Sequence, residues 1–74
     1  MNKHTFTVSG EYIRLDDLLK LMGVAETGGQ AKMIIQSGQV MLDGEVCTAR
    51  GKKLRGGEII TVPEADEEIT VDRP

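Results

Sequence analysis

The residues best suited to chemistry lie in the run RGKKLR, which spans residues 50–55 and places four cationic side chains within six positions. A cluster of lysine and arginine on a loop attracts anions, phosphate groups among them. The run therefore predicts a binding surface for an anionic polymer, with a merely solvated loop as the plain alternative. Arg14 and Lys32, which lie near the starts of two expected helices, would extend this surface into one basic strip.

A second candidate site is the segment ETGGQAK, residues 26–32, which places Gly28 and Gly29 in the expected first turn of a helix. An interior helical glycine costs about 1 kcal/mol relative to alanine, so two of them need a reason. Glycine at these positions leaves the helix N-terminal N–H groups uncovered, and a phosphate can approach them closely. Alternatively, the glycines let the helix pack tightly against a neighbour. A P-loop is excluded because Gly29-Gln30 stands where Lys followed by Ser or Thr is required.

Few other residues offer reactive chemistry. Cys47 is the one cysteine and His4 the one histidine, so neither an internal disulfide nor a clustered metal site is expected. Asp16 and Asp17 are neighbours, and adjacent side chains on a helix point about 100° apart, which argues against a paired general acid and base. With no recognisable triad, we expect a protein without catalytic activity, cofactor or metal.

Charge is distributed unevenly along the 74 residues. The net charge is −3, which by itself argues against binding to nucleic acid. Residues 1–62, however, carry eight Lys and Arg against seven Asp and Glu, whereas residues 63–74 carry one against five. We therefore expect one domain over 1–62 and an acidic C-terminal tail over 63–74. No apolar run approaches the ~20 residues of a membrane span, so we expect a cytoplasmic protein without membrane contact. We further expect a monomer.

Two amphipathic helices are predicted by apolar residues that repeat with helical spacing. The stripe of the first helix consists of Leu15, Leu18, Leu19 and Met22. Gly23 follows as its C-terminal stop. The second helix spans about residues 28–37, and Thr27 and Gln30 have the spacing of a capping box at its start.

The remaining elements are predicted to be strands. Thr5–Val8 alternates polar and apolar residues and should form the first of them. Asp43-Gly44, between two apolar runs, predicts a hairpin whose register the sequence leaves undecided. Leu54 is the expected buried anchor of the basic loop, and Ile59–Val62 the strand that follows it. Within the acidic tail, Ile69–Val71 could add one edge strand.

Taken in this order, the elements resemble the S4 RNA-binding domain family, named after a small-subunit ribosomal protein. The resemblance covers residues 14–62 and is carried by the pieces EYIRL, TGGQAK, QSGQVMLDGE and RGKKLRGGE. These pieces look most like the small stand-alone bacterial members of the YaaA/YbcJ type. The resemblance implies an α+β fold, the αL RNA-binding motif, in which two short antiparallel helices pack on a small curved antiparallel sheet of four to five strands.

The same resemblance implies that the partner is structured RNA, ribosomal or transfer RNA, recognised through its phosphate backbone in ribosome assembly or translation, on a ribosome or another ribonucleoprotein. Many family members have an arginine after the capping serine, where this chain has Gly28, so the N–H groups of Gly28 and Gly29 would replace that side chain. The alternative is a protein-interaction adaptor that uses the basic loop and an edge strand. The candidate RNA-binding residues are Arg14, Thr27, Gly28, Gly29, Gln30, Lys32, Gln36, Arg50, Lys52, Lys53 and Arg55.

Overall fold

Two short helices and seven strands make up the chain, and a computed structural model describes all 74 residues. The elements are β1 (Asn2–Thr7), β2 (Ile13–Arg14), α1 (Leu15–Leu21), α2 (Gly28–Gln36), β3 (Met41–Leu42), β4 (Glu45–Val46), β5 (Lys53–Leu54), β6 (Ile59–Val62), a 3-10 turn (Pro63–Ala65) and β7 (Glu67–Asp72). Five strands form one sheet in the order β1-β7-β6-β3-β4, and β2 and β5 form a second. Neither helix has the length and apolar character that a bilayer crossing needs.

A single apolar core joins the helices to the sheets, and no polar side chain is buried in it. The predicted stripe of α1 is confirmed, because Leu15, Leu18 and Leu19 are fully buried. Helix α2 contributes Ala31 and Ile35. The residues that reach the core are therefore spaced by the helical repeat seen in the sequence. The polar faces of both helices remain in solvent.

The predicted α+β fold with two helices on a five-stranded sheet is confirmed, but the sheet is mixed and not antiparallel throughout. Strand β1 runs parallel to β7, in a register that pairs Asn2 with Glu67 and Thr7 with Asp72. Only strands joined by a tight hairpin must be antiparallel. Here residues 8–66, with both helices, form the connection, so that the two outer segments of the chain are free to run in the same direction.

The acidic tail predicted for residues 63–74 is built into the sheet, and the expectation of an edge strand there is wrong. Strand β7 lies between β1 and β6, and the sheet edges are β1 and β4. Ile69 and Val71 are buried in the core, while Thr70 between them is only partly buried and Asp72 is exposed. The acidic composition of the tail obscured this alternation, which is the pattern of a strand with one buried face.

The Asp-Gly hairpin is confirmed, and its register pairs Met41 with Val46. Asp43 and Gly44 both have positive φ angles, 50° and 87°, as the first and second central residues of a type I′ turn require. Asp43 also attaches the hairpin to β6: its N–H donates to the carbonyl of Ile59, and its carboxylate accepts from the N–H of Ile59, each at 2.9 Å. The aspartate therefore serves both the turn and the sheet.

Candidate nucleic-acid interface

Backbone hydrogen bonds fasten the basic loop to the start of α1. In the small sheet, Arg14 of β2 pairs with Lys53 of β5. The N–H groups of Leu15 and Asp16 then donate to the carbonyls of Lys52 and Arg50, at 2.9 and 3.1 Å. The loop carbonyls thus satisfy N–H groups that a helix start usually leaves unpaired. Those N–H groups of α1 are consequently not available to a phosphate, whereas the loop itself is held in place.

The basic side chains of this loop, with Arg14 at the end of β2, form an exposed positive surface, which we call the loop group. Its members are Arg14, Arg50, Lys52, Lys53 and Arg55. Arg14 forms an ion pair with Asp16 at 3.0 Å, and no carboxylate pairs with the other four cations. The structure therefore brings five of the predicted binding residues together, and four of them have no carboxylate within ion-pair distance.

Tyr12 also lies beside the loop group, although its sequence context does not indicate a binding residue. Its ring centroid lies 4.9 Å from Nζ of Lys53 and 5.7 Å from Cζ of Arg55. A cation above an exposed aromatic face gains about 0.5–1 kcal/mol, so the ring orients both side chains. Its position follows from the pairing of Ile13 with Leu54, a contact between residues far apart in the chain. No local pattern in the sequence signals it.

Glu58 fixes the end of the basic loop. Its carboxylate accepts the N–H groups of Arg55 at 2.9 Å and Gly56 at 2.8 Å. Partial burial by itself raises the pKa of Glu58, but these backbone hydrogen bonds and the nearby charge of Lys52 outweigh burial and hold the pKa below its ordinary value. The ionised carboxylate is therefore the form that orders the turn.

Arg73, beyond β7, clamps the same turn from the other side. Its guanidinium donates to the carbonyls of Gly10, Glu11 and Arg55 at 3.0, 3.0 and 2.7 Å. Gly56 makes room for it, because a Cβ there would collide with Cγ and Cδ of Arg73. The one cation of the acidic tail thus connects the carbonyl of Arg55, at the end of the basic loop, to the segment between β1 and β2.

The start of α2 is open to solvent. The predicted capping interaction is confirmed in part: Thr27 Oγ1 accepts the N–H of Gln30 at 3.1 Å, but the side chain of Gln30 reaches one residue further back, to the N–H of Glu26 at 2.6 Å. The N–H groups of Gly28 and Gly29 have no acceptor within the protein. A Cβ at Gly28 would meet nothing within 4 Å, and one at Gly29 only Thr27 Oγ1 at 3.9 Å. The interpretation that these glycines allow tight packing is therefore wrong.

Lys32 and Gln36 extend the exposed surface of α2. Lys32 forms no ion pair, and no hydrogen bond or ion pair connects α2 with the side chains of the loop group. The predicted residues thus fall into two groups: the loop group, and the α2 start with Thr27, Gly28, Gly29 and Gln30. A single basic strip that includes Lys32 stays a prediction.

Comparison with known proteins assigns this arrangement to a family. The family model described as the S4 domain matches residues 6–72. A solution structure of YbcJ from Escherichia coli, described as having an αL motif involved in RNA binding, superposes with a TM-score of 0.68 at 38% identity, over 92% of this chain and 85% of that one.

Curated relatives point to the same family. YbcJ of E. coli (strain K12) is 44% identical over 50 residues, which are 68% of this chain and 71% of YbcJ. RlbA of Bacillus subtilis (strain 168), named a probable ribosome maturation protein, is 32% identical over 56 residues, 76% of this chain and 79% of RlbA. The small ribosomal subunit protein uS4 of Phytoplasma mali (strain AT) is 31% identical over 58 residues, 78% of this chain but only 29% of uS4.

Proposed function

Because the chain belongs to the S4 domain family, we propose that it binds structured RNA, ribosomal or transfer RNA, through the phosphate backbone and without catalysing a reaction. The observation that carries this proposal is the loop group, in which four exposed cations lack carboxylate partners on a loop whose backbone is bonded to α1. Preorganised cations bind phosphate without first giving up an internal ion pair or ordering the loop.

The proposed mode of binding is recognition of shape rather than of sequence along a strand. Single-stranded nucleic acid is usually held by several aromatic side chains on which bases stack. This chain has two aromatic residues, Phe6 and Tyr12, and Tyr12 already lies against Lys53 and Arg55. Cationic side chains and open helix N–H groups instead suit the phosphates of a folded RNA.

We propose that Gly28 and Gly29 leave room for a phosphate at the start of α2, because packing does not explain these two glycines. Their free N–H groups lie at the positive end of the helix dipole, where an anion is favoured by about 0.3–1 kcal/mol. Thr27 and Gln30 hold this turn in shape through the capping interaction, and Lys32 and Gln36 would contact the RNA from the exposed side of the helix. The names of the relatives RlbA and uS4 support a place in ribosome assembly or translation.

The test is the salt dependence of binding to a folded RNA such as transfer RNA. Four phosphate contacts predict that log K falls against log salt with a slope of roughly 3 to 4, or about 60- to 260-fold between 50 and 200 mM. Lys53→Glu should weaken binding to all folded RNAs alike and lower the slope by about 0.7–0.9. Lys3→Glu is the matched control, since it changes the same charge on the exposed strand β1. Equal effects of the two variants would contradict the proposal.

A protein-interaction adaptor remains the competing function, and one feature favours it: β1 is a six-residue edge strand with one side unpaired. Such an edge can accept a strand from a partner protein. Capture of a protein partner that survives nuclease treatment, together with no salt-dependent affinity for transfer RNA, would support the adaptor instead.

A further inference from the structure

An open pocket of about 360 Å³ lies between the β3–β4 hairpin and the basic loop. Its apolar walls include Leu42 and Val46, and its polar residues include Glu45 and Lys52. The volume is at the lower end of the roughly 300–1,000 Å³ of small-molecule sites. The pocket therefore suits one small group, of about the size of a nucleobase, rather than a polypeptide segment.

We propose that this pocket binds one unstacked guanine base of the RNA, which makes it a site of base recognition beside the backbone-binding surface. The inference rests on the proposed function. Lys52 connects the two sites, because it belongs to the loop group and also lines the pocket. A nucleotide whose phosphate contacts Lys52 has its base within reach of the pocket, and unpaired bases in loops and bulges are the ones that proteins read in RNA.

Glu45 is the residue that selects guanine. It lines the pocket, is exposed, and has no ion-pair partner. An ionised carboxylate only accepts hydrogen bonds. Guanine alone presents two adjacent donors, N1–H and the N2 amino group, on its Watson–Crick edge, whereas the other three bases place an acceptor or a C–H beside their donor. A carboxylate therefore accepts two parallel, charge-assisted hydrogen bonds from guanine and only one from any other base.

The backbone beside Glu45 complements the rest of the base. Thr48 and Ala49 line the same pocket, and they lie in the segment between β4 and β5 that belongs to neither sheet. The N–H groups of both residues have no acceptor within the protein. Such free donors match O6 and N7, the acceptors of guanine, while Leu42 and Val46 provide apolar contact for its ring.

Three RNA hairpins with a common stem test the proposal: one with a single bulged guanosine, one with a bulged adenosine and one without a bulge. Affinities are measured by fluorescence anisotropy. The guanosine hairpin should bind about tenfold more tightly than the other two, as is typical of a bidentate base contact. Glu45→Gln should abolish this preference, because an amide offers one acceptor and one donor instead of two acceptors.

Glu64→Gln is the matched control. Glu64 is exposed on the 3-10 turn outside the pocket, so the variant makes the same charge change and should raise affinity for all three hairpins while the guanosine preference stays. Lys53→Glu should lower all three affinities together. Circular dichroism checks that each variant is folded.

The outcomes separate the two proposals. Equal affinity of the unmodified protein for the three hairpins would overturn the guanine pocket and leave backbone binding intact. A guanosine preference that survives in Glu45→Gln would overturn the role of Glu45. Absence of affinity for every hairpin and for transfer RNA would overturn the proposed function and the pocket with it.

Discussion

Replacing Gly28 and Gly29 by alanine should stabilise the protein and weaken its binding to RNA. Both residues lie in α2 with φ angles outside the positive range, and an added Cβ would meet no atom closer than 3.9 Å. Glycine-to-alanine changes at compatible positions stabilise by about 0.4–1 kcal/mol each, so the double variant should gain about 1–2 kcal/mol. For a domain of this size, Tm rises by roughly 4–8 °C for each kcal/mol.

Binding should change in the opposite direction. A helical Cβ points toward the N-terminus, so two methyl groups would cover the N–H groups that now face solvent. Loss of one hydrogen bond to a charged group costs about 1.5–3 kcal/mol, which corresponds to roughly 10- to 150-fold in Kd. The charge of the protein does not change, and therefore the salt slope should stay the same while the affinity falls.

The assay combines thermal unfolding with anisotropy titration of transfer RNA for the same double variant. Gly56→Ala provides the contrasting control: its φ is +126° and its Cβ would collide with Arg73, so that variant should be less stable. A double variant with higher Tm and unchanged Kd would show that the glycine N–H groups do not contact phosphate. A double variant with lower Tm would contradict the open geometry of the α2 start.

Three further predictions concern the tail and the loop that it supports. Because Ile69 is fully buried, Ile69→Ala should lower the free energy of unfolding by about 2–5 kcal/mol, out of roughly 4–11 kcal/mol expected for a chain of this length. Urea unfolding measures this loss, and a loss below about 1 kcal/mol would argue against the core position of Ile69. Arg73→Lys replaces the planar guanidinium, whose two terminal nitrogens donate to three carbonyls, by a single ammonium. This variant should lower both Tm and RNA affinity, whereas unchanged values would refute the clamp. The pKa of Glu58 is lowered in the folded state. The stability that Glu58 contributes is therefore fully present above its unfolded-state pKa and is lost as pH falls through its folded-state pKa. Glu58→Gln should flatten the acid limb of the stability curve below about pH 4, and identical acid limbs for the two proteins would contradict this.

Local patterns were enough to predict the elements that are stabilised by residues near each other in the chain. The spacing of Leu15, Leu18 and Leu19 predicted α1, because helix contacts repeat every three or four residues. Asp43-Gly44 predicted the hairpin since a type I′ turn needs two residues that tolerate positive φ. The same patterns could not decide between phosphate approach and packing for Gly28, because that depends on what lies beside the helix start in space.

Residue types and their short-range spacing determined the two helices, the hairpin and the cationic character of residues 50–55, since these depend on steric and charge properties of neighbouring residues. Tertiary structure alone decided that β7 lies inside the sheet, that Tyr12 lies beside Lys53, and that Arg73 supports the turn at Gly56. Each of these contacts joins residues about 15 to 65 positions apart. Such contacts form only when the whole chain folds. The conformational entropy lost on closing long loops is offset by the free energy of burying the apolar core, and no local segment supplies that free energy.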